Sequence, residues 1–126
     1  MRTIKFRGKR LLSEDWEYGN LIQRPCGGNF IETGDMRLCP MQDFSIGQFT
    51  GLRDKNGKEI YEGDIVKYLS YAREDVGYVG FHARSASFRV IAEHTDYGIG
   101  NRGELHESAL EVIGNIHDNP ELLKQK

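Results

Sequence analysis

The chain of 126 residues holds two cysteines, three prolines and no long apolar run, and each scarcity closes a class. Cys26 and Cys39 are too few and too widely spaced for a disulfide scaffold, and they fit a reduced, intracellular setting. They also form no close C-x-x-C pair. His82, His94, His106 and His117 are scattered, without the H-x-x-x-H or H-E-x-x-H spacing that places two imidazoles on one helical face, so no metal-binding or cofactor-binding residue is assigned. Three prolines and no low-complexity tract leave no linker, and residues 1–126 read as a single domain able to bury its own core. No apolar stretch reaches the roughly 20 residues that cross a bilayer as a helix. The opening M-R-T-I-K-F-R-G carries charge but no apolar h-region, so a soluble, cytoplasmic protein without membrane association is expected. A formal net charge of −2 gives no overall pull toward nucleic acid. No G-x-S-x-G elbow occurs; Ser85, Ser87 and Ser108 read as turn and strand serines, and no catalytic residue is assigned.

What the chain does have is glycine, 15 in all, set between short segments that alternate polar and apolar residues. That pattern marks half-buried strands joined by tight turns. Residues 3–7 put Ile4 and Phe6 on one face and Thr3, Lys5 and Arg7 on the other, ending at Gly8. Residues 15–22, with Trp16 and Tyr18 two apart, complete a hairpin with them. Residues 23–43 are broken by Pro25, Gly27, Gly28, Gly34 and Pro40, leaving 29–33 and 36–39 as short extended pieces. This irregular arm offers Phe30, Ile31, Leu38 and Met41 either to an oligomer interface or to a core. Residues 64–71 carry apolar groups on both faces, as a central strand does. A polar turn at 73–75 and strands over 76–81 and 87–92 continue a meander. Residues 93–103 form a loop long enough to be functional or mobile. The last strand covers 111–117, with a bulge or close backbone approach at Gly114. Asn119 as N-cap and Pro120 at the first helical position start a short helix over 120–124.

The densest instruction is F-T-G-L-R-D-K-N-G-K-E-I-Y-E-G-D-I-V-K-Y, residues 49–68. Asn56-Gly57 predicts a type I′ reversal, with both residues at positive φ, and Gly63-Asp64 predicts a second turn. Gly51, Gly57 and Gly63 set turns, Ile60, Ile65 and Val66 supply core, and Asp54 and Asp64 are placed to bond turn amides. The acidic pairs Asp54 with Glu59 and Glu62 with Asp64 therefore read as turn-capping groups before they read as acid and base. Tyr61, Tyr68, Tyr71, Tyr78, Phe81 and Phe88 interleave with Lys67, Arg73, Arg84 and Arg89. A small barrel binding a single strand uses such a mixture, rings for stacking and cations for phosphate, but alternating aromatics also build cores.

The run T-G-L-R-D-K-N-G-K-E-I-Y-E-G-D-I-V resembles the signature of the YopX-like family of bacteriophage and prophage proteins, and E-V-I-G-N-I-H-D-N-P-E-L-L is similar to that family's C-terminal signature. The segments I-K-F-R-G-K, W-E-Y-G-N-L and I-G-Q-F-T-G-L fit it as well. The resemblance implies a phage or prophage origin, hence a bacterial host cell. It also implies a mainly β fold: an SH3-like small β-barrel, with an N-terminal β-hairpin and irregular arm over 1–45, and the barrel core and short C-terminal helix over 46–126. It transfers no catalytic residue. The expectation is a non-enzymatic protein-binding or self-associating module, a homo-oligomer or the partner of another protein. The alternative is a nucleic-acid-binding small β-barrel protein of phage DNA metabolism, and an enzyme or small-ligand protein would rest on the 93–103 loop alone.

Overall fold

A computed structural model describes residues 3–70, 72–93, 96–100 and 103–124. The chain is mainly β, with 54% of residues in strands and 9% in helical turns, and it divides after Phe49 into two units.

The first unit holds β1 (Phe6–Lys9), β2 (Trp16–Gln23), β3 (Asn29–Glu32), β4 (Leu38–Pro40) and the start of β5 (Gly47–Arg53), in the antiparallel order β4-β3-β2-β1-β5. The expected opening hairpin is present, with Phe6 opposite Gly19 and Lys9 opposite Trp16. It starts later than the alternation predicted, and Ile4 is left exposed ahead of it. Arg7, expected on a solvated face, is buried, as is Lys9. The Trp16 ring explains both: it lies 4.7 Å from the Arg7 guanidinium carbon and 5.8 Å from Lys9 Nζ. Long aliphatic stems lie readily against such a ring while their cations meet its face. On the other face of β1, a Cβ at Gly8 would come within 2.9 Å of Met41 Sδ.

The stretch over 23–43 is more regular than its glycines and prolines suggested. β3 falls inside the first extended piece and pairs with β2, Leu21 opposite Ile31; β4 overlaps the second piece, runs one residue past it to Pro40 and pairs with β3, Ile31 opposite Cys39. Ile31, Cys39 and Met41 form a buried core of this unit, with Phe6, Leu21 and Ile46 packed against it.

The second unit holds β6 (Glu59–Tyr61), β7 (Asp64–Ser70), β8 (Arg73–His82), β9 (Ser87–Ile91), β10 (Asp96–Gly98) and β11 (Glu111–Asn115). The order β10-β9-β8-β7-β11 is an antiparallel meander with β7 inside it, as its two apolar faces predicted. Ile60, Val66, Tyr68, Val79, Val90 and Leu110 make the core. Residues 73–75 are strand and not the expected turn: Ser70 pairs with Arg73 and Tyr68 with Asp75. Ala72, at φ 64, lies in the reversal; Tyr71 is outside the described residues. Charges are tolerated here because β9 covers β8 only from Tyr78 onward. β10 sits within the expected 93–103 loop, of which 94, 95, 101 and 102 lie outside the described residues.

Gly114 carries both features anticipated for it. The β7–β11 register shifts between Val112 and Gly114, and a Cβ on Gly114 would stand 2.6 Å from Asn119 Oδ1. The strand stops at Asn115, short of His117, because the Asn115 side-chain oxygen accepts the N–H groups of His117 and Asp118 and turns the chain. A 3₁₀ helix covers Pro120–Lys124. The oxygen of Asn119, assigned as its N-cap, accepts the Asn115 N–H at 3.2 Å.

The hairpin after β5 differs from a type I′ turn. Gly57 has φ 82, and Asn56 is not among the residues of positive φ. Asp54 N–H donates to the Lys58 carbonyl at 2.8 Å and Gly57 N–H to the Asp54 carbonyl at 2.9 Å. That is a type I turn closed by a glycine bulge. Asp54 imposes it: its Oδ1 accepts from Asn56 N–H and Lys58 N–H, each at 2.9 Å, which turns the Asn56 amide inward. Its Oδ2 accepts Val112 N–H at 2.9 Å, and Lys55 N–H reaches the Leu110 carbonyl at 3.0 Å, so the hairpin tip is fastened to β11. Burial pushes the Asp54 carboxyl up, but the amides of Val112, Lys58 and Asn56, with the Lys58 charge, outweigh it and hold the group below its ordinary value. Gly51, expected at a turn, lies inside β5.

Replacing Gly57 with Val should cost about 2 kcal/mol by forcing a β-branched residue to positive φ. The site is otherwise open, with nothing within 4 Å of a new Cβ, so Gly57→Asn should recover most of the loss in chemical denaturation. Asp54→Asn should cost about 2 kcal/mol at neutral pH, since an amide cannot accept on both sides. Because the folded carboxyl titrates below the unfolded value of 3.8, its stabilisation is full well above pH 3.8 and fades as pH falls through the folded value. The gap between wild type and Asp54→Asn should therefore narrow in acid. Tyr68 is buried, its hydroxyl has no hydrogen-bond partner among the described residues, and burial, Asp75 and Tyr97 push its pKa up to about 12. Tyr68→Phe should leave the melting temperature unchanged or raise it, by up to about 1 kcal/mol of stability.

Candidate interaction surface

The titratable groups weighed in the sequence are occupied locally. Asp54 serves three backbone amides; Asp64, buried, accepts Tyr61 N–H at 2.7 Å. Glu59 meets the Tyr61 hydroxyl at 3.1 Å and Arg53 at 3.5 Å. His82, at the end of β8, and His106, capping a 3₁₀ turn, are both exposed, Nδ1 accepting the N–H of Ser85 or Ser108 at 3.2 Å and meeting the same serine's hydroxyl. Cys26 is exposed and Cys39 buried. Among the described residues, no three of His, Cys, Asp and Glu gather as metal ligands do.

The aromatic and basic residues are likewise dispersed. Tyr61 and Tyr68 are core, Phe81 and Phe88 meet edge to face at 5.3 Å, and Lys67 lies between Glu74 and Glu111, 3.6 and 3.5 Å away. Arg89 donates to Asp96 at 2.8 Å and lies 3.8 Å from Glu104, whose side chain also accepts Gly98 N–H. The Gly98 amide is the main reason the Glu104 carboxyl sits below its ordinary value. The loop expected to carry function is thus clasped at its base.

The most exposed of the large apolar side chains among the described residues lies in the first unit, in the turn from β1 to β2. Arg10 N–H donates to the Asp15 carbonyl and Leu11 N–H to the Pro40 carbonyl, both at 2.9 Å. The Gln42 amide donates to the carbonyls of Arg10 and Ser13 at 2.9 and 3.2 Å. These bonds hold the turn outward, while Met41 fills the core position beneath Gly8. Leu12 is consequently 96% exposed and Leu11 53%. Arg10, Leu11, Leu12, Ser13 and Pro40 line a cleft of about 370 Å³. Arg10 is steadied by Glu17 at 3.2 Å and by Cys39 Sγ at 3.7 Å.

The four residues anticipated as core or interface split. Ile31 and Met41 are core, Leu38 is exposed on β4 beside Pro40, and Phe30 is half-buried under the Arg24 guanidinium, 4.6 Å away. Leu11 and Leu12 were missed. Two adjacent leucines between Arg10 and S-E-D, where a turn is normally polar, were the available signal.

Comparison with known proteins agrees with this architecture. The structure is similar to the crystal structure of protein EF1440 from Enterococcus faecalis, with 24% sequence identity, a TM-score of 0.53, and coverage of 98% of this chain and 99% of that one. That likeness concerns the fold. No curated protein matches the chain. The family described as YopX protein matches residues 5–124, which takes in both units and both signature runs, and the chain belongs to that family.

Proposed function

We propose that this protein is a non-enzymatic accessory module that associates with itself or with another protein through the apolar turn of its first unit. The observation that carries the reading is Leu12, 96% exposed beside a cleft that Leu11 and Pro40 help to line. A large apolar group held outward by four hydrogen bonds to backbone carbonyls is costly to leave in water and gains most when a partner covers it. The occupied acids and scattered histidines give catalysis no comparable support. In the same reading the chain is a single cytoplasmic domain of phage or prophage origin, an inference from its family. The SH3-like assignment stays part of this proposal: the strands around the Ile60–Leu110 core lie in antiparallel sheets, and among the described residues no closed barrel is found. Among the described residues no helix is long and apolar enough to cross a membrane.

The nucleic-acid alternative has less behind it, since Lys67 and Arg89 face carboxylates and two of the tyrosines are core. Light scattering after size exclusion, across a wide concentration range and with nuclease-treated protein, separates the readings. Mass rising with concentration after nuclease treatment is expected. A constant monomer mass would overturn self-association, and binding to oligonucleotides that weakens with salt would favour the alternative.

A further inference from the structure

We infer that Asn56 is a site of spontaneous covalent modification, conversion to aspartate or isoaspartate, and that the Asp54 carboxylate holds the reaction off while the protein is folded. The site belongs to the second unit and is independent of the self-association reading. Of the six asparagines in the chain, only Asn56 precedes a glycine. The reaction is an attack by the Gly57 backbone nitrogen on the side-chain carbonyl carbon of Asn56. A new C–N bond closes a five-membered succinimide, and the side-chain nitrogen leaves as ammonia, taking the proton of the Gly57 N–H. Water then opens the ring at either carbonyl. Glycine is the most permissive residue to follow, because no Cβ crowds the attacking nitrogen. Asn56 and Gly57 are both exposed, and nothing lies within 4 Å of the point where a Gly57 Cβ would stand, so water reaches the turn.

The folded turn opposes the attack. The nitrogen that must react donates its N–H to the Asp54 carbonyl at 2.9 Å, which fixes the plane of the Asn56–Gly57 peptide. Ring closure needs that plane to rotate until its nitrogen meets the Asn56 side chain. The amides of Asn56 and Lys58, on either side, are both held by Asp54 Oδ1 at 2.9 Å, and Oδ2 is anchored to Val112 N–H. The peptide therefore turns only when the hairpin tip opens locally, and the rate of conversion follows the population of the open form.

The product undoes the clasp. Isoaspartate adds one carbon to the main chain inside the loop that Asp54 N–H and the Lys58 carbonyl close, and either product sets a second carboxylate near Asp54. The two amides then no longer converge on one oxygen, like charges oppose each other, and the hold on β11 loosens.

Peptide mapping by mass spectrometry during incubation at mildly alkaline pH, with the protein folded and in urea, tests this. Conversion at Asn56 should be at least about tenfold slower in the folded protein than in urea, and folded Asp54→Ala should convert faster than folded wild type. Equal rates for folded and unfolded wild type would overturn the proposal, as would a folded Asp54→Ala as slow as wild type. Should Asp54→Ala fail to fold, hydrogen exchange at the Gly57 amide of wild type decides instead. Protection is expected there, and exchange at the rate of an unfolded chain would overturn the protective role of the turn. The converted fraction, separated by charge, should melt below the unconverted one; equal melting temperatures would overturn the loosening of β11.

Discussion

One buried carboxylate organises the second unit. Asp54 has no cation as its main partner; its charge is met by the amides of Asn56, Lys58 and Val112. A charge at this depth without partners would be strongly destabilising, and amides from two separate elements make it a fastening between them. The composition of D-K-N-G-K follows from that demand. The aspartate supplies two acceptors, the glycine adopts the conformation that closes the bulge, and Lys55 contributes its own N–H to the Leu110 carbonyl. Asp64 repeats the device one turn later, accepting Tyr61 N–H, while Gly63 bonds the Val79 carbonyl through its N–H and Ile116 N–H through its carbonyl. The acids of this segment serve backbone geometry.

Strand edges are treated consistently. The outward Val112 N–H of β11 goes to Asp54, the Asn115 N–H to Asn119, and on β8 the Val76 N–H is taken by the Asp75 carboxylate. In the first unit Pro40 and the Leu11 amide close β4. Edges occupied in this way resist ladder formation with other chains. Apolar exposure is shared between turns, at Leu11, Leu12 and Met36, and strand faces, at Tyr18, Leu38, Leu69 and Phe81.

Most strands were legible because alternation and glycine spacing survive in the sequence: the opening hairpin, the β7–β9 meander, the Gly114 irregularity and the final helix at Pro120–Lys124. The misreadings share a cause, which is that the deciding partner lies far away in sequence or outside the local pattern. Arg7 looks solvent-facing until Trp16 comes across from β2. Residues 73–75 look like a turn until the short reach of β9 is known. Asn56-Gly57 gives the reversal, but its type is dictated by an aspartate whose second oxygen is fixed by β11. Residues 23–43 hid a core because its apolar members, Ile31, Cys39 and Met41, come from separate short strands and strand ends. At the candidate surface, the leucine pair was visible in the sequence, whereas the cleft needed Pro40 brought beside it from β4.

The bond from Asp54 to Val112 spans 58 residues, and this separation sets an order of assembly. The 54–58 turn needs only its neighbours and can form within microseconds. Its outward oxygen then stands ready while the chain that will supply Val112 is still being made. Closing so long a loop carries an entropic cost that local turns avoid, so the docking of β11 is the late event in folding. Until it occurs, the carboxylate keeps its water, and the unit remains a set of local hairpins around an unfinished core.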